Sequence, residues 1–195
     1  MAPETTAIHP LTPDRWDDLV DLFGPERGAN SGCWCLWPRL QGGDWKAMSR
    51  EARRDGFHGI VDRGPAPGLL AYDGDRAVGW CAVRPRPEYL RFQTAKASRP
   101  TDGFDGDDVW AITCFFIRSG HRKQGLTSVL AEAAVDLARA SGARAVEACA
   151  LDPDRPAIWG EGFVGFTPVF TRLGFVEVAR RSPRRPLMRL VLHEA

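Results

Sequence analysis

Arg122, Lys123, Gly125 and Thr127 stand together where an apolar run ends and an amphipathic one begins, a pattern that suits an anion with several oxygens. Val109 to Ile117 is almost uninterrupted apolar, β-branched or aromatic sequence, which predicts a strand covered on both faces. Leu126, Val129, Leu130, Ala133, Ala134, Leu137 and Ala138 then recur at helical spacing, and Gly142 after Ser141 supplies a stop. The first N–H groups of a helix have no internal partner and carry partial positive charge, so a phosphate set there is stabilised. Arg122 and Lys123 add full charges beside them, and Gly125, having no Cβ, lets a ligand oxygen approach the main chain. The spacing reads as a pyrophosphate site at a strand-to-helix turn.

Two phosphate-binding patterns compete for this turn. Gly120-x-x-x-x-Gly125-Leu126-Thr127 has the outline of a Walker A loop, but Leu126 stands where that loop needs lysine, and no apolar strand ends in an obvious Asp for a metal. Arg122-x-x-Gly125-x-Thr127 resembles instead the (Gln/Arg)-x-x-Gly-x-(Gly/Ala) signature of the GCN5-related N-acetyltransferases. The resemblance implies acetyl-CoA as cosubstrate, with its pyrophosphate on Arg122, Lys123, Gln124, Gly125, Leu126 and Thr127. It also implies that the strand backbone at Phe115 and Ile117 holds the pantetheine arm, and that an N–H near Phe116 or Ile117 polarises the thioester carbonyl. Thr127 departs from the usual small residue, so its side chain either points away or donates to a phosphate oxygen.

More of the chain fits around the signature. Leu69 to Tyr72 and Ala77 to Val83, joined by Asp73-Gly74-Asp75, read as a hairpin. A further strand is expected at Ala145 to Leu151, and closing strands at Glu177 to Arg180 and Leu187 to Leu192. Leu173-Gly174-Phe175 resembles the ending of the last helix in the family, here spanning Phe163 to Phe175. Before the hairpin, Thr12 as N-cap and Pro13 at the first position open a helix with Trp16, Leu19, Val20 and Phe23 on one face. A second helix is expected over Asp44 to Arg54. The fold expected is α/β: a mixed central sheet, splayed at its central strands, with helices on both faces. One domain covers residues 1–195, with an acceptor region at about 12–64, a coenzyme core at about 69–175 and closing strands at about 176–192.

By the same resemblance, the first two helices and the loop between them wall the acceptor site, which brings in Ser31 to Trp37 and with it Trp34 and Trp37. Packing of those tryptophans as a cap on the core is the competing expectation. Gly79-Trp80-Cys81, Pro85-Arg86-Pro87-Glu88-Tyr89 and Cys33-Trp34-Cys35 resemble an actinobacterial type of subgroup with unassigned substrates, and Arg86 and Tyr89 join the acceptor-site candidates. Amine acetylation needs an amine held against the thioester, loss of its proton, and stabilisation of developing negative charge. The strand position of the glutamate used by the histone-modifying branch is Ala111, which leaves Glu147 and Glu88 as candidate bases, each of which could equally pair with an arginine. The tyrosine many relatives use as acid aligns with Phe170, which has no proton to give. Transfer of acetyl to the primary amine of a small molecule by direct attack is the leading expectation. A non-catalytic acyl-CoA-binding or regulatory protein, motivated by Phe170, is an alternative. Another is an acyltransferase acting on aminoacyl-tRNA or a protein, hinted at by Arg180, Arg181, Arg184 and Arg185.

Composition narrows the classes. A chain of 195 residues, 44% hydrophobic, can bury a substantial core, and a net charge of +1 argues against a generic nucleic-acid or membrane binder. No apolar run approaches the ~20 residues of a membrane span. Met1 to Pro10 has no secretory pattern, so a cytoplasmic location is expected. Five cysteines do not make a disulfide framework; Cys81, Cys114 and Cys149 fall in expected strands, and the scattered histidines give Cys33 and Cys35 no zinc partners, so no metal is expected. Pairing of two chains through the C-terminal strands, common in the resembled family, makes a homodimer possible.

Overall fold

The expected strand at Val109 begins where the apolar run begins and becomes the centre of a seven-stranded mixed sheet. The computed structural model describes residues 6–24, 32–101, 103–158 and 160–193; Met1 to Thr5 and Ser31, which enter the sequence reading, lie outside these. The strands are β1 (Ala7–Pro10), β2 (Gly68–Asp73), β3 (Arg76–Pro85), β4 (Val109–Ile117), β5 (Ala145–Cys149), β6 (Val176–Ala179) and β7 (Leu187–Val191), in the order β1-β2-β3-β4-β5-β7-β6. Only β4 and β5 pair in parallel; their register ends at Ile112 opposite Ala148, and beyond it the two strands separate. This is the expected splay.

The helix after β4, α5 (Leu126–Ala140), lays Leu126, Leu130, Ala131, Ala134, Val135 and Ala138 against one face of the sheet. Burying each of its large apolar side chains contributes roughly 1.5–3 kcal/mol. Gly142 at φ 77° ends the helix, and Ala143 N–H donates back to Ala138 O at 3.0 Å, which satisfies a terminal carbonyl. The helix α6 (Thr167–Arg172) shares this face through Phe170. On the opposite face, α1 (Trp16–Phe23) and α3 (Arg50–Arg63) pack Trp16, Leu19, Phe23, Phe57 and Val61 against Leu70, Trp80 and Ala82. Gly68 lets β2 and β3 meet closely there, because a Cβ on it would lie 2.1 Å from the Cys81 carbonyl.

Four expectations change. Thr12 does not cap the first helix: its hydroxyl accepts from Arg15 Nη1 at 2.9 Å, and Pro13–Arg15 form a 3₁₀ turn before α1. The helix expected over Asp44 to Arg54 is two helices, α2 (Gly42–Ala47) and α3, broken where Met48 is extended and Ser49 caps α3 by accepting from Ala52 N–H. The expected Phe163 to Phe175 helix is a 3₁₀ turn at Glu161–Val164 followed by the short α6. The strand expected to Leu151 stops at Cys149, with Leu151 bridging to Phe166. The sequence also conceals β1 and a short helix, α4 (Leu90–Thr94), preceded by a 3₁₀ turn at Arg86–Glu88.

Candidate active site

The turn between β4 and α5 is built to expose its amides. Gly120 at φ 88°, Lys123 at φ 62° and Gly125 at φ 89° bend it through left-handed backbone. Arg122 Nε donates to Ile117 O at 3.1 Å and Gln124 Nε2 to Gly120 O at 2.9 Å, so the side chains fasten the turn to itself. Among the described residues, the N–H groups from Arg122 to Thr127 donate to no other backbone or side-chain acceptor. They adjoin a cavity of about 460 Å³ lined by Phe115, Ile117, Arg122, Lys123, Thr127, Gly160, Gly162, Phe163 and Phe166. Thr127 thus lines the cavity, while the Leu126 side chain is buried in the core and leaves only its main chain to act. Phe116 lies on the opposite face, stacked on Phe163 at 6.1 Å and edge-on to Phe23 at 5.3 Å.

A bulge in β4 decides which side chains look which way. Cys114 pairs with Ala82 and Ile112 with Val83, so Thr113 is left unpaired opposite β3. Thr113 lines a second cavity, of about 250 Å³, together with Trp37, Pro38, Arg91, Phe92, Ala95, Ala97, Ser98, Ile112, Cys149, Val164 and Arg185. The two cavities lie along the splayed end of β4 and have no lining residue in common among the described residues.

Of the four acceptor candidates from sequence, the structure brings Trp37 to this second cavity, with 41% exposure. Trp34 is 2% exposed and stacks on Trp16 at 5.8 Å, so the core-capping alternative describes it. Left-handed backbone at Trp34 (φ 46°) and Cys35 (φ 52°) turns these side chains inward. Tyr89 is fully buried, with the Arg39 guanidinium 4.5 Å over its ring. Arg86 is fully buried too: Nη1 bonds Glu147 Oε2, Nη2 bonds Ser98 O, and Nε donates to Gln93 Oε1 at 2.8 Å. It cannot reach an acceptor.

Neither candidate base reaches a cavity wall. Glu147 is fully buried between two guanidiniums, Arg86 on Oε2 and Arg189 on Oε1 at 2.7 Å. Burial pushes its carboxyl above the ordinary range against the pull of both arginines, but no substrate proton can approach it. Glu88 accepts from Arg39 Nη1 and Arg84 Nε, each at 2.8 Å; burial raises its carboxyl, and the two arginines outweigh that and hold it below the ordinary range. No carboxylate or imidazole lines either cavity among the described residues. The thiols are equally quiet, since burial pushes Cys33 up to about 12 and raises Cys149, while Cys35 Sγ accepts from Trp80 Nε1 at 2.9 Å. Phe170 is fully buried between Phe115 and Phe175, at 6.2 and 5.2 Å. The sequence reading did not assign Arg91, Phe92, Thr113 or Arg185 to an acceptor site: the short α4 carries no periodic signal, Thr113 sits inside the apolar run of β4, and Arg185 reads with the neighbouring arginine cluster.

The splayed sheet with an open amide turn at its centre defines an α/β fold whose ligand phosphates would sit at a helix N-terminus. The Acetyltransferase (GNAT) family model matches residues 16–160, and the chain belongs to this family. Its fold is similar to that of a GCN5-related N-acetyltransferase from Kribbella flavida, at 17% identity and TM-score 0.58, covering 97% of this chain and 99% of that one. A Salmonella typhimurium protein solved with its cofactor acetyl-CoA is similar at 14% identity and TM-score 0.56, covering 98% and 96%. An N-acetyltransferase of Thermoplasma acidophilum in complex with coenzyme A is similar at 9% identity and TM-score 0.52, covering 96% and 99%. No curated protein matches the sequence.

Proposed function

We propose that the chain transfers an acetyl group from acetyl-CoA to the primary amine of a small molecule by direct attack. The observation that carries the reading is the row of unpartnered amides from Arg122 to Thr127 beside a cavity that Arg122 and Lys123 also line. Diphosphate oxygens satisfy such amides, and the two cations add charge where the coenzyme is most negative. Structurally similar proteins solved with acetyl-CoA and with coenzyme A agree with this donor.

Acetyl-CoA supplies the thioester carbonyl. Past Ile112 the β4 main chain is unpaired toward β5, so its amides are free on that side to hold the pantetheine arm and to polarise that carbonyl. Direct attack fits the thiols, because burial keeps Cys149 protonated beside the second cavity and removes it as an acyl carrier. With Glu147 and Glu88 engaged by arginines, the attacking amine gives its proton to solvent. The rate then rises with pH along the acceptor's own ionisation rather than that of a protein group. The acceptor occupies the second cavity, with Trp37 on its wall. The reading includes one domain, a cytoplasmic protein of the bacterial subgroup resembled by its Trp- and Cys-containing motifs, and a homodimer through the edge strand β6, where Val176 is exposed. No helix among the described residues is long and apolar enough to cross a membrane.

Phe170 favours a second reading, acyl-CoA binding without transfer, because the usual acid is replaced by a buried ring. The RNA or protein acceptor loses its motive: Arg180 and Arg184 pair with Asp152 and Asp154, and Arg181 and Arg185 donate to main-chain carbonyls. Calorimetry with coenzyme A, followed by thiol release from acetyl-CoA with a panel of primary amines, tests the proposal. Binding with no turnover selects the second reading, and no heat with coenzyme A removes both.

A further inference from the structure

Several arginines of the interior and its rim share or hold a carboxylate. Arg39 and Arg84 share Glu88, Arg86 and Arg189 share Glu147, and Arg180 and Arg184 each have a carboxylate. Arg91 and Arg185, which both line the second cavity, form no ion pair among the described residues. Arg91 is held flat against Trp37, its guanidinium 3.7 Å over the ring and its Nε donating to Trp37 O at 3.0 Å. Its Nη2 is buried with no acceptor on the side of Gly42, where an added Cβ would lie 2.8 Å from it, so the cavity meets Arg91 through the rest of its guanidinium and stem. Arg185 Nη2 donates to Cys149 O at 3.1 Å, which leaves Nε buried and without a partner. Thr113 Oγ1, on a residue only 8% exposed, is a further polar atom on the same cavity, and it faces the buried Tyr89 hydroxyl. Among the described residues no acidic side chain lines the space, and apart from Ser98 the rest of the wall is largely apolar, with Phe92, Ile112 and Val164 prominent.

Two fixed guanidiniums beside a small, largely apolar hollow are the complement of a carboxylate on an apolar body. We propose that this cavity takes an amine acceptor that carries a carboxylate, an apolar amino acid rather than a simple amine. The inference rests on the acetyl-transfer reading, since the amine must reach the splayed end of β4 while its carboxylate meets Arg91 and Arg185. A hollow of about 250 Å³ suits so small a molecule, being below the common range of ~300–1,000 Å³ for ligand pockets. The apolar wall covers the side chain. Each buried donor that finds no partner in the decarboxylated analogue penalises that analogue, so discrimination comes from the missing group itself.

The test uses matched pairs on the full chain with acetyl-CoA: L-phenylalanine against 2-phenylethylamine, and L-leucine against 3-methylbutylamine, by thiol release. The amino acids are expected to exceed the amines at least tenfold in kcat/KM, and Arg185→Gln to reduce the ratio below threefold with coenzyme affinity unchanged. As a second measurement, N-acetyl-L-phenylalanine is expected to bind the enzyme–coenzyme A complex at least tenfold more tightly than N-acetyl-2-phenylethylamine, with Arg91→Gln and Arg185→Gln each eroding the difference. Equal or better use of the neutral amines overturns the inference, as does an undiminished ratio in Arg185→Gln, or equal binding of the two acetylated compounds where nothing turns over. Coenzyme binding with no carboxylate preference removes this inference and leaves acetyl transfer standing. Failure to bind coenzyme A removes both.

Discussion

Reversing the charge at Arg122 tests the electrostatic part of the coenzyme site, with the salt dependence separating it from loss of the bond to Ile117 O that helps fasten the turn. Arg122 is exposed and lines the larger cavity, and its one hydrogen bond, to Ile117 O, is at the surface, so Arg122→Glu leaves the core untouched. Two unit charges about 4 Å apart in water interact by about 1 kcal/mol. Changing +1 to −1 doubles that, so coenzyme A binding should weaken by about 2 kcal/mol, roughly 30-fold in Kd. Calorimetry at low salt measures it, and the penalty should shrink strongly in 1 M salt, where the screening length is about 3 Å. Arg139→Glu is the control, making the same change in net charge at an exposed site near the far end of α5, about 20 Å away at ~1.5 Å per residue. It should leave Kd within about twofold, beyond the reach of screened charges. Unchanged affinity in Arg122→Glu, or equal losses in both variants, would refute placement of the diphosphate at this turn.

Glu147→Gln should cost about 3–5 kcal/mol of stability, read by denaturant unfolding, because Arg86 and Arg189 would remain buried without their shared anion; a stable variant that merely lost activity would restore Glu147 as a base. Trp34→Ala should destabilise by about 3–5 kcal/mol with little effect on the acceptor KM of the folded fraction, whereas Trp37→Ala should raise acceptor KM and barely move Tm. The opposite pattern would exchange their roles. Because Glu88 titrates below its ordinary range in the fold, its contribution is intact above that range and is lost as pH falls through the folded value. Glu88→Gln should therefore be about 1 kcal/mol less stable than wild type at pH 7, with the gap closing in acid; a gap that widens on acidification contradicts the pairing with Arg39 and Arg84.

The central unit was legible because pattern and environment agree there: an unbroken apolar run makes β4, and a single apolar stripe makes α5. The break between α2 and α3 was not, since Arg50–Arg63 is polar and includes Gly56 and Gly59, both weak helix formers. Tertiary contact sustains that helix: a Cβ at Gly56 would lie 3.3 Å from Leu36, and Arg53 donates to the carbonyls of Gly32, Trp45 and Met48. The role of Glu147 was hidden by distance along the chain, because its partners are 61 and 42 residues away. Trp34 and Trp37 have the same chemistry in sequence, and only the left-handed turn at Trp34 and Cys35 sends one inward and leaves the other on the cavity wall. The acceptor-site role of Arg91 and Arg185 was illegible for a related reason: what sets them apart is that both line one cavity and each keeps a buried donor without a partner, which only the folded chain reveals.

β4 serves both hollows, with Ile112 and Thr113 at the bulge lining one and Phe115 and Ile117 lining the other. On the proposed reading neither guest has to leave before the other arrives, and with the Cys149 thiol kept protonated by burial there is no relay to carry the acyl group between visits. Turnover of this kind obeys a sequential rate law, with intersecting initial-velocity lines, and a dead-end mimic seated at one mouth still admits the proper occupant at the other.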